Sequence, residues 1–502
     1  MHKNKEKPFI FTPKIRSYKR MRKRFEVQYE FGATPIEEII IPLKSRDELP
    51  PVLIALQHIF VNPVLNEKVF NIIEKRIEIK KIGKPGMSLW EILVLGVVRL
   101  TLDSNYDRLE HIANYDSLVR DLLGMKSYGL EEEKRYSLTA LKENIRYLDE
   151  ELLEEINEIV VKEGHRLKKK EGEEIKVKVD SYVLESNVHF PTDITLLFDS
   201  ARKVISIVEN LFEGNGIPGW RKSNYWGRTI KNLSRRLSQI TRSGGKIKEE
   251  RIKEASKEYI KSAQMISQKV KESRDELLKK SLSPTIIANL EILRYYENML
   301  DKHIDLLERR LIKGEKIPHD EKLFSIFEPY TEWINKGKSG NKVELGLKVA
   351  VCTDQFGFVL NHRVMQKQED VNLAVSITRE IKGKYQIGSL SFDKGYWSKV
   401  NWAILKTEVK QLVMPKKGKR NKEEEERESN KKFKQLRYQH SAIESDINML
   451  EHHGLNRCPD KGIENFRNYA ALGIVAYNLH RLGNILRAEK QNEEKKLLRK
   501  AA

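Results

Sequence analysis

Three acidic residues of this 502-residue chain stand where carboxylates could do chemistry together. The sequence predicts that Asp180 ends a first strand, with Ile175, Val177 and Val179 facing one way and Lys176, Lys178 and Asp180 the other. Asp393 ends a later strand, Ile387 to Phe392, and Glu444 lies on a helix downstream of both. Carboxylates at the ends of neighbouring central strands, joined by one from a helix beside them, can hold two divalent cations roughly 3.5–4 Å apart. That arrangement serves phosphodiester chemistry, one ion activating an attacking water or 3′-hydroxyl and the other stabilising the leaving oxygen. Two Mg²⁺ ions suit the task, because Mg²⁺ takes hard oxygen ligands and keeps positions open for water and phosphate; Mn²⁺ is the substitute. Taken singly, each aspartate reads first as an ordinary exposed strand-end acid.

Glu444 has two readings. Ser441-Ala442-Ile443-Glu444 matches a capping box, in which Glu444 would satisfy only backbone donors. Against it, Phe433, Leu436, Ile443, Ile447 and Leu450 continue one helical stripe through Ser441, so the helix would start earlier. Glu451, two turns on, is the reserve candidate for a third ligand. His452 and His453 are expected to complement the helix dipole rather than bind metal. Asp354 reads as a turn residue, and Asp193 and Asp199 as shaping the loop after the first strand.

The elements that must position these acids follow from periodicity. Residues 49–170 have a helical pattern, with a capping box at Ser88 and Glu91 opening an apolar helix over Leu89 to Leu102. After the first strand, helical patterning returns to about Trp333. Two strands follow, Val343 to Val351 and Phe358 to Met365, then a helix capped by Asp370, the strand ending at Asp393, and a last strand at Gln411 to Met414. Lys416 to Lys434 reads as a charged linker, followed by a helix closed by Gly454 and a long apolar helix over Phe466 to Leu486. The implied division is a basic arm (1–48), a helical DNA-binding or dimerisation domain (49–170), a core split into 171–198 and 341–486, a helical insertion (199–340) and a charged tail (487–502). The expected fold class is mixed α/β: a mixed sheet flanked by helices, compatible with a ribonuclease-H-like core, with an all-α N-terminal domain and the long helical insertion.

Charge points to a partner. Lys and Arg outnumber Asp and Glu by 93 to 73, a formal net charge of +20 that favours a polyanion, ordinarily nucleic acid. The two cysteines, Cys352 and Cys458, form no CxxC pair, which excludes a zinc ribbon and fits a reducing cytosol. No stretch has the length and apolarity of a membrane span, so a cytoplasmic, nucleoid-associated protein is expected. Within the insertion, Trp220, Arg221, Lys222, Trp226, Arg228, Lys231, Arg235 and Arg236 interleave rings with cations, as a surface gripping distorted DNA would, with Trp220 or Trp226 holding a flipped base. The plainer reading is a turn packed by two tryptophans beside a solvated helix. Lys416, Lys417 and Lys419 offer a second basic surface.

Four phrases in order carry a resemblance: VDSYVLESNVHFPTD around Asp180, IFEPYTEWINKGKSG from Ile326 to Gly340, LSFDKGYWS around Asp393, and QHSAIESDINMLEHHGLNRCPDKG around Glu444. Over roughly Lys84 to Gly483 the chain resembles bacterial insertion-sequence transposases of the DDE type, the group with a helical domain before a split catalytic core. The resemblance implies that Asp180, Asp393 and Glu444 are the DDE triad of a ribonuclease-H-like fold, Asp180 bridging two metals and the other two completing one shell each. It further implies cleavage at transposon ends, strand transfer into target DNA, double-stranded DNA as partner, and a homodimer or larger homo-oligomer to bring two ends together. One related subgroup places Tyr, Arg, Glu and Lys at fixed spacing on the last catalytic helix; here those positions hold Arg437, His440, Glu444 and Glu451, so that signature is absent. The alternatives are a DNA-binding descendant without catalysis and a stand-alone metal-dependent nuclease.

Overall fold

The computed structural model describes residues 24, 33–77, 86–125, 134–335 and 343–501. Most of the basic arm (1–23 and 25–32) and the end of the Ile326 to Gly340 phrase (336–340) lie outside the described residues. Among the described residues seven α-helices precede the first strand: α1 (Leu49–Val61), α2 (Pro63–Arg76), α3 (Leu89–Thr101), α4 (Tyr106–Tyr115), α5 (Ser117–Leu122), α6 (Leu138–Ile145) and α7 (Glu150–Lys168). There follow β1 (Ile175–Ser186), α8 (Asp193–Glu213), α9 (Ser223–Arg242), α10 (Lys248–Leu278), α11 (Pro284–Leu311), β2 (Glu332–Asn335), β3 (Val343–Thr353) and β4 (Val359–Met365). The remainder is α12 (Asp370–Lys384), β5 (Ile387–Phe392), α13 (Lys399–Glu408), β6 (Gln411–Val413), α14 (Lys422–Ser429), α15 (Lys431–His440), α16 (Ala442–Leu450), β7 (Arg457–Cys458) and α17 (Ile463–Ala501).

Helix starts follow from side chains that satisfy orphan backbone N–H groups. Ser88 Oγ accepts from Glu91 N while Glu91 reaches back to Ser88 N, the capping box expected there, and α3 is buried along its whole length. Asn421 and Glu424 form another such box at the start of α14. That cap, with three glutamates in the first turn, turns the expected charged linker at Lys416 to Lys434 into two helices, α14 and α15. The insertion expected to begin at 199 is likewise corrected: Thr192 and Thr195 cap α8, so the helix already runs from Asp193. Asp354 does sit in the turn before β4, its Oδ1 accepting from Phe356 N and Phe358 N.

The chain divides into two compact units, Met1–Glu185 with Leu347–Ala502, and Ser186–Gly346. In the first, β4 lies antiparallel to β3, β3 neighbours β1, and β5 and β6 continue parallel to β1; β7 also pairs with β1. This mixed sheet of order β4-β3-β1-β5-β6 is consistent with a ribonuclease-H-like core. The N-terminal helices do not stand apart as a domain, since α1, α3 and α7 pack on α17 within the same unit. Buried polar groups tie these layers: Asn478 of α17 exchanges hydrogen bonds with both the N–H (2.9 Å) and the carbonyl (2.8 Å) of Val359, and donates to Asn157 of α7 (2.6 Å). Where α17 passes α1, a Cβ on Gly483 would lie 1.7 Å from the Pro51 carbonyl oxygen. Gly483→Ala is therefore expected to force the two helices apart and lower stability by about 3 kcal/mol; urea unfolding with unchanged midpoint and slope would refute this.

In the second unit α8, α9, α10 and α11 each pack on the next, and α11 closes on α8. Their apolar faces make one core around Trp220, Phe212, Tyr259 and Leu293. Asp193 pairs with Arg310, and Asp199 is buried with Arg202 and His189 beside it. β2 pairs antiparallel with the first residues of β3.

Candidate active site

β1 and β5 run parallel with Val179 opposite Phe392, so Asp180 and Asp393 are the next residues on adjacent strands, with backbones about 5 Å apart. Asp393 follows the last residue of β5, as the sequence predicts. Asp180 does not end its strand: β1 continues to Ser186, because beyond β5 it gains a new partner, Glu185 N donating to Asn456 O just before β7. Asp180 is half-buried and takes a 2.7 Å hydrogen bond from Ser181 N. Burial pushes its carboxyl up to about 6; the Ser181 N–H opposes this, and the negative charges of Asp393, Asp370 and Glu444 add to it. Asp393, Asp370 and Glu444 thus all act electrostatically on Asp180 within one unit of the fold.

Glu444 projects from the first turn of α16 and is exposed. The capping-box reading of it does not hold, for Ser441 is helical, makes no side-chain cap, and donates its hydroxyl to Tyr438 O instead. A helix does start well before Ser441, as α15, but the chain breaks at Ser441 and restarts as α16. What fixes α16 against β1 is a buried ion pair, Lys178 Nζ to Asp446 Oδ2 at 3.0 Å, with the Tyr477 hydroxyl on Asp446 Oδ1. Lys178 precedes Asp180 by two residues, and Asp446 follows Glu444 by two. His440 stands between: its Nδ1 lies 3.0 Å from Ser391 Oγ of β5, and burial lowers its basicity although Asp393 and Glu444 pull the other way. Glu451, the reserve ligand, acts on Tyr182, while the acids that chiefly raise Asp180 are Asp393, Asp370 and Glu444.

A fourth carboxylate was missed. Asp370, expected to cap a helix, is the first residue of α12 and makes no cap; Ser181 Oγ donates to one of its oxygens and Lys348 Nζ pairs with the other, both at 2.7 Å. A Cβ on Gly395 would sit 3.5 Å from Asp370 Oδ2 and 3.8 Å from Asp393 Oδ2, so the bare backbone there lies against both acids. Helix-start aspartates are too common for sequence to single this one out; its only signal is the alternation that sets Lys348 on the strand opposite.

His453 also departs from expectation. It is fully buried where α16 closes at Gly454, and burial first, then His480 and His452, hold its imidazole down to about 3, so it is no cation for the helix dipole. A histidine neutral in the fold but free to protonate near 6.5 when unfolded stabilises the protein above pH 6.5, and that stability drains as pH falls towards about 3. Between pH 6.5 and 5 the loss is about 2 kcal/mol. His453→Leu is expected to shrink the difference in urea stability between pH 7 and pH 5 by that much; an unchanged difference would show that this imidazole is not the source.

The basic surfaces are altered in detail. Trp220 is wholly buried, its indole N–H donating to Ser273 Oγ at 2.9 Å, and Trp226 packs half-buried on the same core with Lys269 Nζ near both rings. Trp220 therefore offers no face to a base, and the exposed ring nearby is Tyr225. Arg221, Lys222, Arg228, Lys231 and Arg235 are exposed, and Arg236 pairs with Glu258. Lys416 is held by Glu424 over the Trp397 ring, leaving Lys417 and Lys419 as the exposed lysines of the second patch. Among the described residues no single helix is long and apolar enough to cross a membrane.

Residues 312–479 match a family model described as a transposase DDE domain. No curated protein and no solved structure matches the chain. The matched segment holds Asp393 and Glu444, while Asp180 precedes it on the strand that pairs with β5. This family acts on DNA and uses divalent metal, and the match supports a DDE transposase of the insertion-sequence type.

Proposed function

We propose that this transposase cleaves phosphodiester bonds at the ends of its element and joins the freed 3′-hydroxyls to target DNA, with Asp180, Asp393 and Glu444 as ligands for two divalent cations. The observation that carries the reading is a partly buried Asp180 carboxylate, raised to a pKa of about 6 by burial first and then by the negative charges of Asp393, Asp370 and Glu444. Lys348 answers only Asp370, and the all-oxygen donor set of Asp180, Asp393 and Glu444 suits Mg²⁺ or Mn²⁺. Bound there, the ions supply Lewis acidity for in-line displacement at phosphorus.

The side chains themselves have separable tasks. Ser181 N–H holds one oxygen of Asp180, which leaves the other to face the cluster. Asp370 is engaged by Lys348 and by the Ser181 hydroxyl, so it is a positioning residue for the turn of strand carrying Asp180 rather than a ligand. His440, tied to Ser391, is kept neutral by burial although the charges of Asp393 and Glu444 act on it. The exposed cations of α9 with Lys417 and Lys419 are the surfaces proposed to contact DNA phosphates. Bringing two element ends together calls for a homodimer or larger assembly. The test is incubation of the full chain with Mg²⁺ and DNA bearing the element's terminal repeats. Joined products are expected; nicks alone would make it a nuclease, and binding alone a DNA-binding descendant.

A further inference from the structure

A second group of donors gathers on residues that the acidic cluster does not use. Glu150 and Glu154 are one helical turn apart at the start of α7, on the same face of the helix. His362 of β4 points between them, and one ligand atom from each of the three lies within 4.8 Å of the other two. His362 is only 3% exposed, yet its Nε2 makes no hydrogen bond. The closest carboxylate oxygen, Glu150 Oε1, is 3.6 Å away, beyond hydrogen-bond length. A buried polar atom left in that state costs free energy unless something else takes its lone pair.

The neighbours do not fill that role. Asp149, not Glu150, caps α7, and the Glu150 N–H is taken by Asn468, so neither glutamate is needed to start the helix. Arg363, next to His362 on β4, is paired with Glu380 at 2.7 Å.

We propose that Glu150, Glu154 and His362 bind one divalent transition-metal ion, of the Zn²⁺ or Mn²⁺ class, as a site separate from the catalytic acids. One imidazole nitrogen with two carboxylate oxygens is a donor set for such ions, whereas Mg²⁺ prefers oxygen alone. Water completes the shell. The ion would clip the edge strand β4 to α7, joining the sheet to the helical layer behind it.

The site stands or falls without the proposed catalysis, so it is tested with the triad disabled. In the full-length Asp180→Asn/Asp393→Asn protein, calorimetry and metal analysis with Zn²⁺ should find one bound equivalent, and Zn²⁺ should raise the melting temperature. Adding Glu154→Gln, a half-exposed change that spares the buried histidine, should weaken Zn²⁺ binding at least about tenfold, with melting in chelator unchanged. His362→Gln should do the same if it folds by circular dichroism. Absence of stoichiometric Zn²⁺ from the triad variant, undiminished binding after Glu154→Gln, or a preference for Mg²⁺ over Zn²⁺ would overturn the proposal.

Discussion

Asp180→Asn is expected to lower DNA joining by on the order of 10³-fold while raising the melting temperature of the metal-free protein. The two effects share one cause. Burial first, and then the charges of Asp393, Asp370 and Glu444, raise the pKa of Asp180 to about 6 against an ordinary 3.8, which measures how unwelcome its charge is there. At neutral pH that charge costs roughly 1–3 kcal/mol of folding stability without a cation, and the isosteric amide relieves the cost. The same amide removes a ligand charge, and losing several kcal/mol of transition-state stabilisation is a thousandfold or more in rate. DNA affinity in the absence of metal should change little, since the cations proposed to contact phosphate lie elsewhere. Joining within tenfold of the parent would remove Asp180 from the chemistry. A lower metal-free melting temperature would instead show that the carboxylate is satisfied in the fold and no cation is missing.

What sequence could and could not show follows from the range of each signal. The alternation of Ile175, Val177 and Val179 and the run into Asp393 are local, and both strands form where it places them. The continuation of β1 past Asp180 depends on pairing near Asn456, far along the chain, and nothing local announces it. The capping-box motif at Ser441 is real as a pattern but idle in the structure, because the preceding helix leaves Ser441 in helical conformation. At Asn421 the same kind of motif works, and a stretch taken for a linker folds, its acids at Glu424 and Glu428 pairing with Lys416 and Arg420. Trp220 shows the opposite failure: rings among cations suggest a surface, but an indole on the inner side of a helical layer is worth more buried, provided its N–H finds a partner, as it does in Ser273. Asp370 and the Glu150, Glu154 and His362 group are juxtapositions of distant elements, which spacing along a chain does not encode.

The buried pair beneath the site should be as sensitive as the site itself. Lys178 and Asp446 are about one-tenth exposed, and each lies two residues from a catalytic candidate, so their 3.0 Å contact sets the register of α16 on β1 and with it the approach of Glu444 to Asp180. Lys178→Met leaves Asp446 charged, buried and deprived of its cation, with only the Tyr477 hydroxyl on one oxygen. Breaking one side of such a pair costs about 3–5 kcal/mol, which urea unfolding would read as a large fall in midpoint with little change in slope. Joining activity should fall with it. The double variant Lys178→Met/Asp446→Leu removes the stranded charge, and apolar replacements of buried pairs are often neutral or better, so most of the stability should return. Activity should stay low even then, because an apolar contact holds α16 near β1 without fixing one orientation, whereas a charge-assisted hydrogen bond does. If Lys178→Met costs less than about 1 kcal/mol, the range of an exposed surface pair, the contact is not the tie argued for. If the double variant regains full joining activity along with its stability, the pair holds the fold together but does not aim Glu444.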